Sequence, residues 1–360
     1  PDSSACLIVN GEILFAVEEE RYSRIKHHSG FPINAIKGCL LNGKLNINEV
    51  DCITLNTNFY SNIIEKIKFS IKNFNSIKKL KKLSLKKEII EILKNNFNLN
   101  KNIKIEFIDH HDSHLYSSYF LSGFKDCIGL TIDGAGDFCS TVAYKVENNN
   151  FKILKKIFYP HSLGIFYQSM TQFLGFNDYG DEYKFMGLAS FGKPVYLDKV
   201  YKIISRFDEK NFFKLNLDLF SFHKDNLNFN FENNYPLFPD LFNSNMEDVI
   251  GFKKRKKNEN IQDYHQNLAA SVQLVFEEIV LNMLRFINSV TPSENLCLSG
   301  GCALNSKMNG KIIENNIFKS FYIQPSAGDA GGALGSALSI QNKYGKINID
   351  SFNNSYLGPS

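Results

Sequence analysis

The stretch that most constrains this chain is residues 108–137, IDHHDSHLYSSYFLSGFKDCIGLTIDGAGD. An apolar run at 103–108 leads into it and reads as a strand. His110, His111 and His114 follow, then a short helix, then a second apolar run at 127–132 that ends in Asp133-Gly134-Ala135-Gly136-Asp137. His110 and His114 are four residues apart, so on a helix they share one face. That spacing suits two imidazoles closing on one metal ion. Asp133 falls where a buried strand meets a glycine turn, a position from which a carboxylate can reach a metal or a phosphate-bound water. The plainer alternative is a capped helix with surface histidines, since such pairs also arise by accident.

A chain of 360 residues with 43% hydrophobic content has room for two or three lobes around a well-buried core. Its net charge of +4 is too mild to imply a nucleic-acid partner. The seven cysteines (6, 39, 52, 127, 139, 297, 302) include no CxxC pair, and several sit in apolar runs. They read as reduced core residues of a cytoplasmic protein. No apolar stretch has transmembrane length and no secretory leader is visible, so no membrane partner is expected. The sequence opens on Pro1 and closes on a linker-like Leu357-Gly358-Pro359-Ser360. Both ends suggest a piece of a longer protein.

Residues 5–9 and 13–17 read as two strands of a hairpin around Asn10-Gly11. Next comes EEERYSRIKHHSGFP, a dense polar patch that is either a solvated loop or an anion-binding lip, with Arg21 and Lys26 as candidates. A helix at 34–41 and a strand at 50–55 follow. Residues 61–104 hold 12 Lys against 3 Glu, with apolar residues at helical spacing, which suggests an inserted helical hairpin. Aromatic interleaving is sparse there, so nucleic acid remains an unfavoured partner. A second hairpin is expected at 140–159, hence a duplicated strand–turn–strand unit. Residues 195–260 read as an irregular insert, and 263–288 as a long amphipathic helix.

Two glycine motifs close the chain. SGGCALNSKMNGKI follows a strand at 295–298, and PSAGDAGGALGSAL follows one at 318–323. Gly300 and Gly301 let backbone approach a nucleotide at a helix opening near Cys302. Asn305 is close enough to meet ribose or base. Gly328-Asp329 lies at a strand-to-helix junction, where Asp329 either caps the helix or ligates a metal.

Two hairpin-led α/β halves with glycine turns describe the actin-like ATPase fold, with two duplicated ribonuclease H-like halves and helical inserts. The expected division is 1–124 for the first half, with the Lys-rich insert at about 61–100, and 125–345 for the second, with the irregular insert. Residues 346–360 would begin a linker. The strings DSSACLIVNGEILFAVEEERYSRIKH, HHDSH, LTIDGAGD, SLGIFYQSMTQFLGF, EYKFMGLA, LSGGCALN and PSAGDAGGALGSAL occur in order over about residues 2–338. Together they resemble the N-terminal domain of the O-carbamoyltransferases of antibiotic and nodulation-factor biosynthesis, a domain itself similar to the tRNA threonylcarbamoyl transferases.

The resemblance implies a divalent metal, iron in that family, held by His110, His114, Asp133 and Asp329. It implies ATP on the turns of Gly134, Gly136, Gly300, Gly301, Asn305 and Gly328, and Lys26 near the carbamoyl phosphate end. The implied reaction moves a carbamoyl group from carbamoyl phosphate, through carbamoyl-adenylate, to a hydroxyl of a small-molecule or sugar acceptor. Catalytic roles fall to Lys26, Asp133 and His111, with His27 and His28 as other candidate bases. The family's usual first strand and the His before Asp2 have no counterpart in this sequence. Its C-terminal portion, thought to build the adenylate, does not appear either. A homodimer is compatible with these features. The competing readings are a tRNA threonylcarbamoyl transferase-like enzyme and a non-catalytic nucleotide-binding protein of the same fold.

Overall fold

Asn10 and Gly11 take φ values of 52° and 90°, the left-handed pair that a two-residue hairpin requires. They join β1 (Ser4–Val9) to β2 (Glu12–Glu18). The computed structural model describes residues 2–72, 85–224, 230–348, 352 and 354–359. After the single turn of α1 (Glu20–Ser23), α2 (Ile33–Gly43) packs Ala35 and Cys39 on Ala5, Phe15 and Val17 of the hairpin. Glu19 is buried, and its carboxylate accepts the N–H groups of Asn34 (3.2 Å) and Ala35 (2.7 Å). One of the three adjacent glutamates therefore satisfies the orphan donors of a helix start and does not face solvent.

β3 (Cys52–Leu55) pairs in parallel with β4 (Lys104–Phe107). Between them lie α3 (Ile63–Lys72) and α4 (Leu85–Phe97) in the lysine-rich segment. α4 turns Ile89 and Leu93 into a small core with Ile47, Leu99, Ile103 and Ile105. α5 (His110–Ser122) then leads to the meander of β5 (Asp126–Gly136), β6 (Cys139–Glu147) and β7 (Asn150–Phe158). α6 (Leu163–Phe173), α7 (Glu182–Leu188) and α8 (Leu197–Ile203) follow. The short hairpin of β8 (Asn230–Glu232) and β9 (Tyr235–Leu237), α9 (Asn245–Ile250) and the long α10 (Asp263–Val290) come next. The chain closes with β10 (Asn295–Ser299), α11 (Ser306–Glu314), β11 (Ser320–Ile323) and α12 (Gly331–Tyr344).

The main sheet has the order β11-β10-β5-β6-β7. β11, β10 and β5 run parallel, and β5, β6 and β7 antiparallel. A meander with helix-connected parallel strands added beside its first strand is the ribonuclease H-like plan on which the actin-like ATPase fold is built. Alternate β5 residues Ile128, Leu130 and Ile132 enter a core with Phe166, Phe173, Val272 and Phe276 of α6 and α10. The opposite face meets Leu115 of α5 and Leu334 and Leu338 of α12. Within the 195–260 stretch, Phe212, Phe213, Phe220, Phe222 and Phe242 belong to the main core, where Phe213 and Phe220 are fully buried.

The preceding strands form two separate two-stranded sheets, β1–β2 and β3–β4, with no described strand joining them. α12 packs against both. Ser4 Oγ donates to the Ala330 carbonyl at 2.8 Å, and the hydroxyls of Thr54 and Ser336 are 2.9 Å apart. A Cβ added at Gly335 would sit 1.8 Å from the Ser113 carbonyl oxygen, so α12 and α5 meet backbone to backbone.

Three expectations change. β5 continues through Gly136, so the turn falls on Asp137 and Phe138, both left-handed at φ 49° and 70°. The basic run 253–257 reads from its charge as a solvated loop, but Arg255 is 5% exposed and donates from Nε to the Leu174 carbonyl at 2.6 Å, which makes it an interior brace. The tail expected to begin a linker touches the first hairpin at two of its described residues. Ala16 N–H donates to Leu357 O at 3.0 Å, and Asn348 N–H to Gly11 O at 2.9 Å. All seven cysteines are free thiols, and no described helix is long and apolar enough to cross a membrane.

Candidate metal centre

α5 begins at His110 because Asp109 caps it, accepting the N–H groups of His111 (2.9 Å) and Asp112 (3.4 Å). One turn then separates His110 from His114, and both imidazoles are buried. Their Nε2 atoms are 3.1 Å apart. His110 Nε2 lies 3.1 Å from Asp133 Oδ2 on β5 and 3.5 Å from Asp329 Oδ1, ahead of α12. His114 Nε2 is 3.8 Å from each of the same two oxygens. All four ligand atoms fall within 4.8 Å of one another. Two atoms bound at about 2.1 Å to one ion lie about 3.0–3.4 Å apart at octahedral or tetrahedral angles. The donor set fits a first-row divalent ion in spacing, and two carboxylates with two neutral imidazoles balance its charge.

Without an ion these groups titrate one another. Burial pushes His110 down, but the hydrogen bond to Asp133 and the charges of Asp329 and Asp133 outweigh it and raise its pKa to about 9. Burial also opposes ionisation of Asp133, yet its bonds to His110 and His114 hold it well below the usual carboxylate range. Asp329 is displaced upward by burial and by the neighbouring Asp133 charge. Two carboxylates in one pocket divide in this way because both cannot ionise freely.

The surrounding backbone holds the ligands. Asp133 Oδ1 accepts the Gly301 N–H at 3.1 Å. Gly300 takes φ 89°, and a Cβ there would sit 2.3 Å from Ile132 O, so only glycine lets the end of β10 cross β5 this closely. A Cβ at Gly136 would lie 1.9 Å from the His110 ring. Beside Gly134 the space is open, and Gly328 meets only Leu304, at 3.9 Å. Of the six residues expected around a nucleotide, Gly134 and Gly328 border free space, whereas Gly136 and Gly301 are packed against His110 and Asp133, and Gly300 against the Ile132 backbone. Asn305 turns inward. Its Oδ1 accepts the Met308 N–H and caps α11, and its amide exchanges hydrogen bonds with buried Gln273 at 3.0 Å.

His111 is fully buried, with Nδ1 2.8 Å from Thr131 Oγ1. Burial, then the charges of His110 and His114, push its pKa down to about 3. It lies outside the four-ligand group. Lys26 is exposed, with Nζ 5.5 Å from the centre of the Tyr183 ring. His27 pairs through Nδ1 with Asp2 at 2.7 Å, and His28 Nδ1 lies 3.0 Å from Ser23 Oγ. Asp2, Glu20 and His27 also bring three ligand atoms together, but His27 already bonds both carboxylates.

Sequence reasoning missed three supporting residues. Asp137 accepts the His110 N–H at 2.9 Å, and Thr57 and Asn58 hold that same carboxylate. The acidic end of DGAGD was the one local signal, and nothing in the sequence joined it to residues 57 and 58.

Fold and site together define an α/β protein of actin-like plan with two imidazoles and two carboxylates gathered near the carboxyl end of β5, the middle strand of its main sheet. The chain belongs to the family described as Carbamoyltransferase N-terminus, whose profile matches residues 1–338. Uncharacterized protein sll1178 of Synechocystis sp. is 32% identical over 377 residues, covering 99% of this chain and 59% of its own. Nodulation protein NolNO of Sinorhizobium fredii is 32% identical over 348 residues, covering 96% and 47%. Component A of the Acidaminococcus fermentans (R)-2-hydroxyglutaryl-CoA dehydratase aligns over 94% of this chain and 93% of its own, at 13% identity and a TM-score of 0.46. The chain spans about half the length of the curated relatives it matches.

Proposed function

We propose that this chain is the metal- and nucleotide-holding domain of an O-carbamoyltransferase. It receives a carbamoyl group as carbamoyl-adenylate, made from carbamoyl phosphate and ATP, and passes it to a hydroxyl of a small-molecule or sugar acceptor. The observation that carries this reading is the convergence of His110, His114, Asp133 and Asp329, from three separate elements, in a chain of the carbamoyltransferase N-terminus family. These four hold a first-row divalent ion, with iron the ion implied by the sequence resemblance. When bound, the ion supplies positive charge that balances the phosphate oxygens of the anhydride.

The chain's own residues supply the rest. A carbamoyl carbon is a poor electrophile because nitrogen donates into it, so it needs AMP as leaving group. The nucleotide lies where Gly134 and Gly328 leave room, the latter just ahead of the α12 N-terminus, where the helix dipole favours an anion. Gly301 acts one step back by fixing Asp133. Gly136 and Gly300 allow the close packing behind it, and Asn305 holds the nearby wall through Gln273. Lys26 meets the negative end of the donor at the cleft mouth. In transfer the acceptor oxygen bonds the carbamoyl carbon, the carbon–oxygen bond to AMP breaks with its electron pair leaving on phosphate, and the acceptor proton passes to a base. His111, buried behind Thr131, is assigned to positioning. His27, whose Nδ1 pairs with Asp2 and whose buried Nε2 has no hydrogen-bond partner among the described residues, is assigned the base. The remaining length of the relatives, beyond what this chain covers, is assigned to making the adenylate.

The test uses the full-length protein. Metal is measured by elemental analysis and adenine nucleotide binding by calorimetry, and carbon-labelled carbamoyl phosphate is supplied with ATP. One divalent ion per chain, nucleotide binding and labelled carbamoyl-AMP are expected. A protein that holds neither ion nor nucleotide overturns the reading.

A further inference from the structure

Asp137 stands at the tip of the β5–β6 hairpin with a left-handed backbone, φ 49°. Three donors meet its carboxylate. Oδ2 accepts the N–H groups of His110 (2.9 Å) and Asn58 (2.7 Å), and Oδ1 accepts the Thr57 hydroxyl (2.9 Å). Its own carbonyl accepts from the Asn62 side-chain amide at 2.9 Å. The His110 N–H is one of the orphan donors of the α5 N-terminus, where a negative charge is also favoured by the helix dipole.

The other end of the same segment touches the opposite side of the ligand group. Asn56 covers Gly332 so closely that a Cβ there would meet its amide nitrogen at 2.1 Å, and Thr54 reaches Ser336. Gly332 and Ser336 lie on α12, immediately after Asp329. Residues 54–58 therefore strap together the helix that carries both histidines and the helix that follows the distal aspartate. α3 packs on the hairpin tip beside Asp137, with the Phe69 ring centred 5.4 Å from that of Phe138.

We infer that Asp137 is a positioning residue for the metal centre, fixing His110 through its backbone N–H, and that the 54–58 strap sets the separation between the histidine pair and Asp329. This rests on the metal reading above. A carboxylate suits this position because both main-chain donors converge on one oxygen, the Thr57 hydroxyl meets the other, and the negative charge faces the α5 N-terminus. In D137N that charge is lost and the Thr57 hydroxyl must turn to accept from the amide N–H₂. The charge-assisted bond that anchors the His110 N–H is then weakened while all four ligand side chains remain.

Full-length protein stripped by chelation and titrated with cobalt(II) tests this, because the ligand-field absorption reports coordination geometry independently of catalysis. Wild type is expected to bind one cobalt per chain. D137N should bind with a Kd weakened about 10–100-fold, the usual range for groups that orient ligands, and with shifted bands. T57V, which removes only the hydroxyl donor, should shift the Kd less in the same direction, and T57S should restore it. Wild-type binding with an unchanged Kd and spectrum in D137N overturns the inference and leaves the metal reading intact. No cobalt binding by wild type overturns the metal reading and this inference with it. If D137N does not fold, T57V decides, and an unchanged Kd there overturns the inference.

Discussion

The Nε2 atoms of His110 and His114 face each other 3.1 Å apart with almost no exposure to solvent. Two buried imidazole nitrogens this close need a proton or a cation between them, because bare lone pairs would repel and neither could reach water. With an ion between them, removing either donor or the Asp133 carboxylate leaves an incomplete shell. H110A and D133A should each lose bound metal relative to wild type when purified in parallel and analysed by mass spectrometry. Unchanged stoichiometry in both variants would refute the site.

Proton and cation compete at His110, so the metal-free protein should show a particular pH dependence. The folded pKa of about 9 lies above the unfolded value of 6.5. The stabilisation is fully present below pH 6.5 and is lost as pH rises through about 9, an effect of about 3 kcal/mol. Urea midpoints measured in chelator should fall across that window in wild type and stay flatter in H110Q. Equal slopes would mean that His110 is not the titrating group.

Gly136 bears on the same ring. A methyl group there would lie 1.9 Å from His110 Cδ2, so G136A must rotate or push the imidazole. Metal affinity should fall by at least tenfold while far-ultraviolet circular dichroism stays close to wild type. Retained affinity would show that the ring has room to yield.

Asn305 offers a test in which structure and nucleotide contact diverge. It caps α11 and shares two hydrogen bonds with Gln273 in the interior. N305A should cost about 2–3 kcal/mol in unfolding free energy, the sum of a lost cap and an unpaired buried amide. Nucleotide affinity should move by less than the stability does. A large affinity loss in an otherwise stable variant would return Asn305 to direct nucleotide contact.

The lysine-rich segment gives a further check. α3 turns Ile63, Ile64, Ile67 and Ile71 outward, an aliphatic face with no stacking platform for bases. RNA is expected not to compete with adenine nucleotide in fluorescence displacement. Tight, salt-sensitive RNA binding lost on neutralising Lys86 and Lys87 would favour the tRNA-modifying alternative.

Local signals were legible wherever a short motif settles its own geometry. Asn10-Gly11 announced its hairpin, the i, i+4 spacing put His110 and His114 on one face, and alternating Ile128, Leu130 and Ile132 marked a buried strand. Contacts made across long stretches of sequence were not legible. Asp137 meets Asn58 across 79 positions, and neither residue carries a pattern that names the other. Asn305 shows the same limit: its neighbours Gly300 and Gly301 suggest a ligand, and nothing in the sequence showed that its amide pairs with Gln273 of the long helix upstream. The glycines of DGAGD looked like a turn because glycine usually marks one. Here Gly136 is needed for the clearance of an imidazole, and the strand runs on through it.

The contact between Gly335 and the Ser113 carbonyl has a consequence for how the centre is loaded. With only main chain between α5 and α12 at Gly335, helix docking and the 54–58 strap together fix the gap between the histidines and Asp329 before any ion binds. The ion then enters a socket already cut to width, and most of its binding energy goes to affinity because little of it is used in drawing loose segments together. Stripping the metal should therefore leave the socket standing, ready to refill without refolding.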